Sequence, residues 1–132
     1  MNRCRGALAG ILLAIATNAG AADAPANRQD IQIVLSNFKF TPNMLRFQRG
    51  TSYTLHLMNS ASGGHSFSAP EFFAAVIVAP EDRGKIMGGK VEIPAGQTVD
   101  IAVTPMTPGT YAITCTHFLH AGFGMRGQAV IE

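Results

Sequence analysis

Apolar and polar residues alternate in short runs along most of the chain after residue 30. Turn residues such as Gly50, Pro94–Gln97 and Thr107–Thr110 separate several of these runs. The alternating apolar positions are Ile31, Ile33 and Leu35; Leu45 and Phe47; Tyr53, Leu55 and Leu57; Val91 and Ile93; Val99, Ile101 and Val103; Tyr111 and Ile113; and Ala129 and Ile131. A period of two is typical of strands with one buried face. The pattern predicts an all-β protein, a Greek-key β-sandwich or small barrel of about seven to eight strands.

Residues 70–89 depart from this alternation. Glu71–Val76 carries consecutive apolar residues, and a stretch rich in charged residues and glycine follows it from Pro80 to Gly89. We expect a short helix or loop insertion here, between the strands of the predicted sheets.

The first 22 residues differ from the rest of the chain. Arg3 and Arg5 precede an apolar run from Ala7 to Ala16, and Ala19–Ala21 offers a small-x-small cleavage pattern. These are the features of a secretory signal peptide. The run is shorter than the roughly 20 apolar residues of a membrane-spanning helix, so we expect a protein that is not membrane-embedded. We therefore assign 1–22 to the signal, 23–30 to a flexible lead-in and 31–132 to one domain.

Removal of the signal changes the charge balance. The full chain has ten Lys and Arg against eight Asp and Glu, and two of the ten basic residues are Arg3 and Arg5. The mature chain is therefore close to neutral, which removes the electrostatic support for a nucleic-acid partner.

Cysteine usage points to a bound group. Cys4 leaves with the signal, so Cys115 is the one cysteine of the mature chain and cannot form an internal disulfide. An exported compartment is oxidising, and an unprotected thiol is unusual there. The alternatives to a ligand are a buried thiol that packs as a small apolar residue or a bridge between two molecules.

Soft metal ligands follow Cys115 closely. His117 and His120 lie within five residues of it, and Met125 comes five residues after His120, with Gly122 and Gly124 allowing a sharp return to the last strand. Thiolate, imidazole and thioether donors suit copper, whereas magnesium and calcium prefer oxygen. The Cys-x-x-Cys pairs of structural zinc sites and the Cys-x-x-Cys-His of haem attachment are absent from the sequence.

A second imidazole is needed from elsewhere, and His65 is the candidate, in a loop rich in Ser and Gly. Two imidazoles and a thiolate in one plane, with a weak axial Met, form the blue-copper electron-transfer site. His56 lies between Leu55 and Leu57 in a predicted strand, so we expect it to be a structural or exposed strand residue.

The chain resembles the cupredoxin (blue copper protein) family, of the plastocyanin, pseudoazurin and azurin kind, over residues 31–132. An ordered set of residues carries this resemblance: Phe40–Pro42, Gly50 with the strand that leads to Asn59, His65, Gly109–Cys115, His120, Met125 and Arg126–Val130. The resemblance implies a β-sandwich with copper near one end. It further implies that His65, Cys115 and His120 bind the ion strongly and that Met125 is the axial ligand.

Three features depart from the family pattern. Four residues separate Cys115 from His120, as in azurin-like loops, and four separate His120 from Met125, as in plastocyanin-like loops. His117 is an additional imidazole, for which we expect a surface or supporting position. Ser66 follows the first ligand, where the family commonly has an Asn that ties the two ligand loops together.

The leading hypothesis is a periplasmic electron carrier with one copper ion that cycles between Cu²⁺ and Cu⁺. The alternative is a periplasmic carrier or chaperone that delivers copper ions. An enzyme is not expected, because multicopper oxidases need more than the four histidines of this chain. We expect a monomer whose redox partners dock at an apolar patch around His120, formed by Phe118, Leu119, Ala121 and Phe123.

Overall fold

The computed structural model describes residues 27–117 and 122–132. Ten strands are defined there: β1 Gln29–Ser36, β2 Lys39–Thr41, β3 Met44–Phe47, β4 Tyr53–Asn59, β5 His65–Ser68, β6 Val76–Val78, β7 Lys90–Ile93, β8 Thr98–Pro105, β9 Gly109–Thr114 and β10 Arg126–Ile131. A short helix, α1, spans Pro70–Ala74, and a 3-10 helix spans Pro80–Lys85.

The strands form two five-stranded sheets. The first has the order β2-β1-β4-β8-β6, and the second has the order β3-β10-β9-β5-β7. Most neighbouring strands are antiparallel, but β1 pairs with β4 and β3 pairs with β10 in parallel. The predicted β-sandwich is confirmed. The predicted break in the strands at 70–89 is only partly right: α1 and the 3-10 helix lie there, but strand β6 lies between them and joins the first sheet.

Strand β4 illustrates why the alternation predicts this fold. Tyr53, Leu55 and Leu57 are buried between the sheets, while Thr54, His56 and Met58 on its other face are partly exposed. Successive side chains of a strand point to opposite faces, so the apolar set is buried together. All seven runs predicted from the sequence are strands in the structure.

The structure has three more short strands than those seven. Strands β2, β5 and β6 contain three or four residues each, and none of them has two apolar residues separated by one polar residue, the pattern that predicted the equally short β3 and β7. β1 also begins at Gln29, within the stretch 23–30 predicted as a lead-in. Gln29 and Asp30 lack apolar periodicity and extend the strand by pairing with Tyr53 and Thr54.

Helix α1 closes one side of the core. Phe72 and Phe73 are its buried residues. The Phe72 ring lies 5.1 Å from that of Phe47, and the Phe73 ring lies 5.9 Å from that of Phe67. Aromatic pairs at these separations pack favourably in a core, so α1 is held by the same apolar interior as the strands.

The 3-10 helix is attached to β8 by a buried carboxylate. The Ala102 backbone N–H donates to Asp82 over 2.8 Å, and the Lys85 ammonium donates to the other oxygen over 2.6 Å. Burial alone raises the pKa of Asp82, but these bonds outweigh it and hold the pKa below its ordinary value. Among the described residues, no helix is long and apolar enough to cross a membrane.

Candidate metal centre

The pairing of β5 with β9 brings two predicted ligands to one end of the second sheet. His65 is the first residue of β5, and Cys115 directly follows β9. The two strands are antiparallel with Ser68 opposite Thr114, so the start of β5 lies level with the residues after β9. Residues 50 positions apart in the sequence therefore meet because of strand register.

The two side chains are close and buried. The Sγ atom of Cys115 lies 3.8 Å from Nδ1 of His65. Each residue exposes only 1% of its surface. A thiol and an imidazole shielded from water in this way are a soft donor pair, and such donors favour copper over hard cations.

Ser66 connects the two ligand segments. Its backbone N–H donates to Sγ of Cys115 over 3.4 Å, and its hydroxyl lies 3.8 Å from the same sulfur. The hydroxyl also accepts the Thr116 backbone N–H over 2.9 Å and lies 2.9 Å from the Thr116 hydroxyl. Ser66 thus connects the two ligand loops by hydrogen bonds, although the family commonly has an Asn at this position.

Met125 lies at the other end of the loop that begins at Cys115. It is fully buried, and its backbone carbonyl accepts the Cys115 N–H over 3.3 Å. Gly124, just before it, has a φ of +94°, a conformation that residues with a Cβ rarely adopt. The chain therefore turns sharply there and returns Met125 beside the backbone of Cys115.

His120 lies outside the described residues, as do Phe118, Leu119 and Ala121 of the predicted docking patch. Within residues 27–117 and 122–132, no three His, Cys, Asp or Glu side chains are grouped as a metal site. Of the predicted ligands, two are His or Cys residues that the structure describes: His65 and Cys115. The assignment of His120 rests on the sequence.

His117 is engaged with a carboxylate. Its Nε2 atom lies 2.9 Å from Oε2 of Glu92, and its ring centre lies 6.4 Å from that of His65. Burial alone raises the pKa of Glu92, but the hydrogen bonds from His117 and Lys90 hold the pKa below its ordinary value. The sequence did not predict a role for Glu92. A single exposed Glu on a strand does not indicate a function until its partner, here His117, is known from the structure.

Asn59 shapes the loop before His65, a role that the sequence did not assign to it. Its buried side-chain amide donates to the carbonyls of Gly63 and Ile93, each over 2.9 Å, and its oxygen accepts the Ala61 N–H over 2.9 Å. A buried Asn at the end of a strand is a usable signal, because Asn commonly organises the turn that follows it.

His56 belongs to a different part of the molecule. Its ring bridges Asp100, 2.7 Å from Nδ1, and Asp30, 3.0 Å from Nε2, on neighbouring strands of the first sheet. These two contacts give His56 a role in the sheet, as a structural strand residue.

The described donors fit a copper ion. The set contains a buried thiol, a buried imidazole and a buried thioether residue, brought together by β5, β9 and the start of β10. A carboxylate-rich site for a hard cation would require different residues. Fold and residues together define a small all-β sandwich protein with a candidate soft-metal centre at one end.

The family model for the cupredoxin-like domain matches residues 7–131. The chain belongs to this cupredoxin-like family, as its motifs indicated. No protein of curated function matches its sequence.

Solved structures share the fold at low sequence identity. Auracyanin from Roseiflexus castenholzii is 17% identical, with a TM-score of 0.58, covering 79% of this chain and 97% of that one. Auracyanin A, a blue copper protein from Chloroflexus aurantiacus, is 17% identical, with a TM-score of 0.58, covering 80% and 99%. The blue copper oxidase from Nitrosomonas europaea is 15% identical, with a TM-score of 0.61, but the match covers 80% of this chain and 39% of that one.

Proposed function

We propose that this protein carries single electrons through one copper ion held by His65, Cys115, His120 and Met125. The observation that carries the proposal is the 3.8 Å approach of the Cys115 sulfur to Nδ1 of His65, with both residues buried. A blue copper protein among the structural neighbours supports the choice of metal.

When bound, copper supplies the one-electron change between its cupric and cuprous states. The protein's contribution is to hold the donors in one arrangement throughout. The Ser66 N–H keeps the Cys115 sulfur in place, and the Asn59 amide keeps the loop before His65 in place. Donors that do not move between oxidation states have little to reorganise, and this favours rapid transfer.

The hydrogen bond to sulfur has a second effect. An N–H directed at the Cys115 thiolate withdraws electron density from it, and hydrogen bonding around this sulfur is a recognised influence on the potential of blue-copper sites. Burial of Cys115 and Met125 also keeps water from the donors. Ser66 and the surrounding core would therefore help to set the potential of the ion.

Electron transfer is favoured over copper delivery by the same contacts. A protein that delivers copper must release the ion readily, whereas Ser66 joins both ligand segments and His117 is held by Glu92. We do not propose an oxidase activity, because a multicopper oxidase needs more than the four histidines of this chain.

The redox partner is proposed to dock on apolar residues of the loop that carries His120. Phe123 of this loop is 63% exposed, and its ring lies 5.1 Å from that of Phe38, which is 42% exposed. Two exposed aromatic rings in contact are typical of an interaction surface, and electron-transfer encounters need only a small one. Phe38 thereby extends the predicted patch.

We further propose export to the periplasm with removal of residues 1–22. The intact mass of protein recovered from its native host tests this, since a retained Met1 would refute it.

Copper addition tests the central proposal. Cupric ion is titrated into purified mature protein, and visible and electron paramagnetic resonance spectra are recorded. We expect one equivalent of copper to produce an intense thiolate-to-copper band. His120→Ala should change the spectrum severely and His117→Ala only mildly. Absence of the band in the unmodified protein would refute the function.

A further inference from the structure

His117 lies across the loop that leads into His65. A Cβ atom added to Gly64 would be 3.2 Å from Cε1 and 3.9 Å from Nε2 of the His117 ring. The ring therefore rests against the backbone of Gly64, at a position where the missing side chain leaves room for it. His65 is the next residue in the chain.

Glu92 holds the His117 ring from the neighbouring strand. One carboxylate oxygen is 2.9 Å from Nε2 of His117, and the other is 3.0 Å from the Lys90 ammonium. Glu92 lies on β7, opposite Ser66 of β5 in the strand register. The carboxylate is thus held from two sides and has a defined position relative to the start of β5.

These contacts join three segments around one predicted ligand. His117 comes from the segment after Cys115, Gly64 from the loop before His65, and Glu92 from the adjacent strand. We propose that His117 is a positioning residue, a latch that keeps Gly64 and His65 against the end of β9 and slows release of the bound metal. The slower release of metal rests on the proposed function. The contacts of His117 with Gly64 and Glu92 are present in the structure whatever that function is.

The latch acts on the loop side of His65. His65 is the first residue of β5, so the residue before it, Gly64, belongs to a loop and not to a strand. The His117 ring lies on Gly64 and restrains this loop while Glu92 holds the ring. The bond to Glu92 engages Nε2 of His117 and fixes the orientation of its ring.

Two neighbouring glycines provide a matched test. Neither Gly63 nor Gly64 has a positive φ, so alanine suits the backbone at both. A Cβ at Gly63 meets nothing within 4 Å, whereas a Cβ at Gly64 meets the His117 ring. Gly64→Ala should displace the latch, and Gly63→Ala should not, although both restrict the unfolded chain equally.

The measurement is the rate at which copper-loaded protein loses its ion to excess chelator at one fixed pH. We expect about a tenfold faster loss in Gly64→Ala, as for other residues that support metal ligands, and an unchanged rate in Gly63→Ala. His117→Ala and Glu92→Ala should each accelerate the loss, and the double variant should be no faster than the more strongly affected single one, because both act through one contact.

A second readout does not need copper. In the metal-free protein, amide hydrogen exchange at Gly64 and His65 should be faster in Gly64→Ala and His117→Ala than in the unmodified chain, and unchanged in Gly63→Ala. Equal exchange in the two glycine variants would overturn the latch. Loss of the thiolate-to-copper band in His117→Ala would also overturn it, since His117 would then be a ligand. An unmodified protein without that band would refute the proposed function, while the exchange result would still decide the latch.

Discussion

The backbone N–H of Ser66 donates to the sulfur of Cys115 across 3.4 Å. The residues are 49 positions apart, and the contact exists because β5 and β9 are neighbours in the second sheet. The Ser66 hydroxyl also accepts the Thr116 backbone N–H. Ser66, which follows His65, therefore contacts both Cys115 and the residue after Cys115. The alignment of the two ligand segments is set by the strand register.

Cys115→Ser should abolish the intense visible band in copper-treated protein. Serine lacks the polarizable thiolate from which that charge transfer originates, and its hydroxyl is a hard donor that suits copper poorly. The fold should persist, since the two side chains are similar in size. Visible absorption reports the band and far-ultraviolet circular dichroism reports the fold; a folded variant that retains the band would remove Cys115 from the site.

Ser66→Ala should lower the free energy of unfolding by about 0.5–1.5 kcal/mol, because the partly buried Thr116 N–H loses its acceptor. It should also change the reduction potential, since the segment that directs an N–H at the sulfur becomes less constrained. Urea unfolding and voltammetry measure the two effects. Ser68→Ala, on the same strand, is the control, and equal behaviour of the two variants would contradict the tie.

Met125→Leu should keep copper and raise the reduction potential. A weak axial thioether stabilises the cupric state, so its loss favours the cuprous state. Each tenfold change in that preference corresponds to about 59 mV for a one-electron couple. Leucine is close in volume and should cost less than about 1.5 kcal/mol of stability in the core. An unchanged potential would make Met125 a packing residue only.

Phe123→Ser should slow electron transfer to a physiological partner while the copper spectrum stays the same. Removal of an exposed ring takes apolar area from the proposed docking patch without altering a ligand. Phe38→Asn is the companion variant, because Phe38 has a φ of +61° and asparagine tolerates that conformation. Stopped-flow rates over a range of salt provide the measurement; rates that collapse with salt in the unmodified protein would point to a charged docking face instead.

The Asp30–His56–Asp100 contacts should make stability depend on pH. The hydrogen bonds that the His56 ring donates to the carboxylates of Asp30 and Asp100 raise the pKa of His56 above 6.5, Asp30 having the larger effect. Because the folded-state pKa is the higher one, the stabilisation is complete below about pH 6.5 and is lost as pH rises through the raised pKa. The His56 side chain is 34% exposed, so the two pairs together should contribute only about 0.5–1 kcal/mol.

Chemical denaturation from pH 5 to 9 checks this dependence. His56→Gln should flatten the profile in that range, because glutamine forms neutral hydrogen bonds only. An identical profile in this variant would show that the cross-strand contacts do not contribute to stability.

The long strands were predictable because their burial is local information. The inward set of β4, with Tyr53, Leu55 and Leu57, appears in the sequence as an alternation, and a turn residue such as Gly50 precedes it. β5 was not predictable in this way. Its four residues include His65 and Ser66, both polar and both buried, because their position in the sheet and their bonds to other segments outweigh their polarity.

The sequence by itself determined the all-β class and supplied the candidate ligands, because the alternation of apolar residues and the order of Cys115, His120 and Met125 are properties of a linear chain. Only the tertiary structure decided that His65 meets Cys115, that Ser66 supplies the tie and that Glu92 holds His117. Each of these depends on the register between strands distant in the sequence. That register is set by the packing of the whole core, so no local segment of the chain contains it.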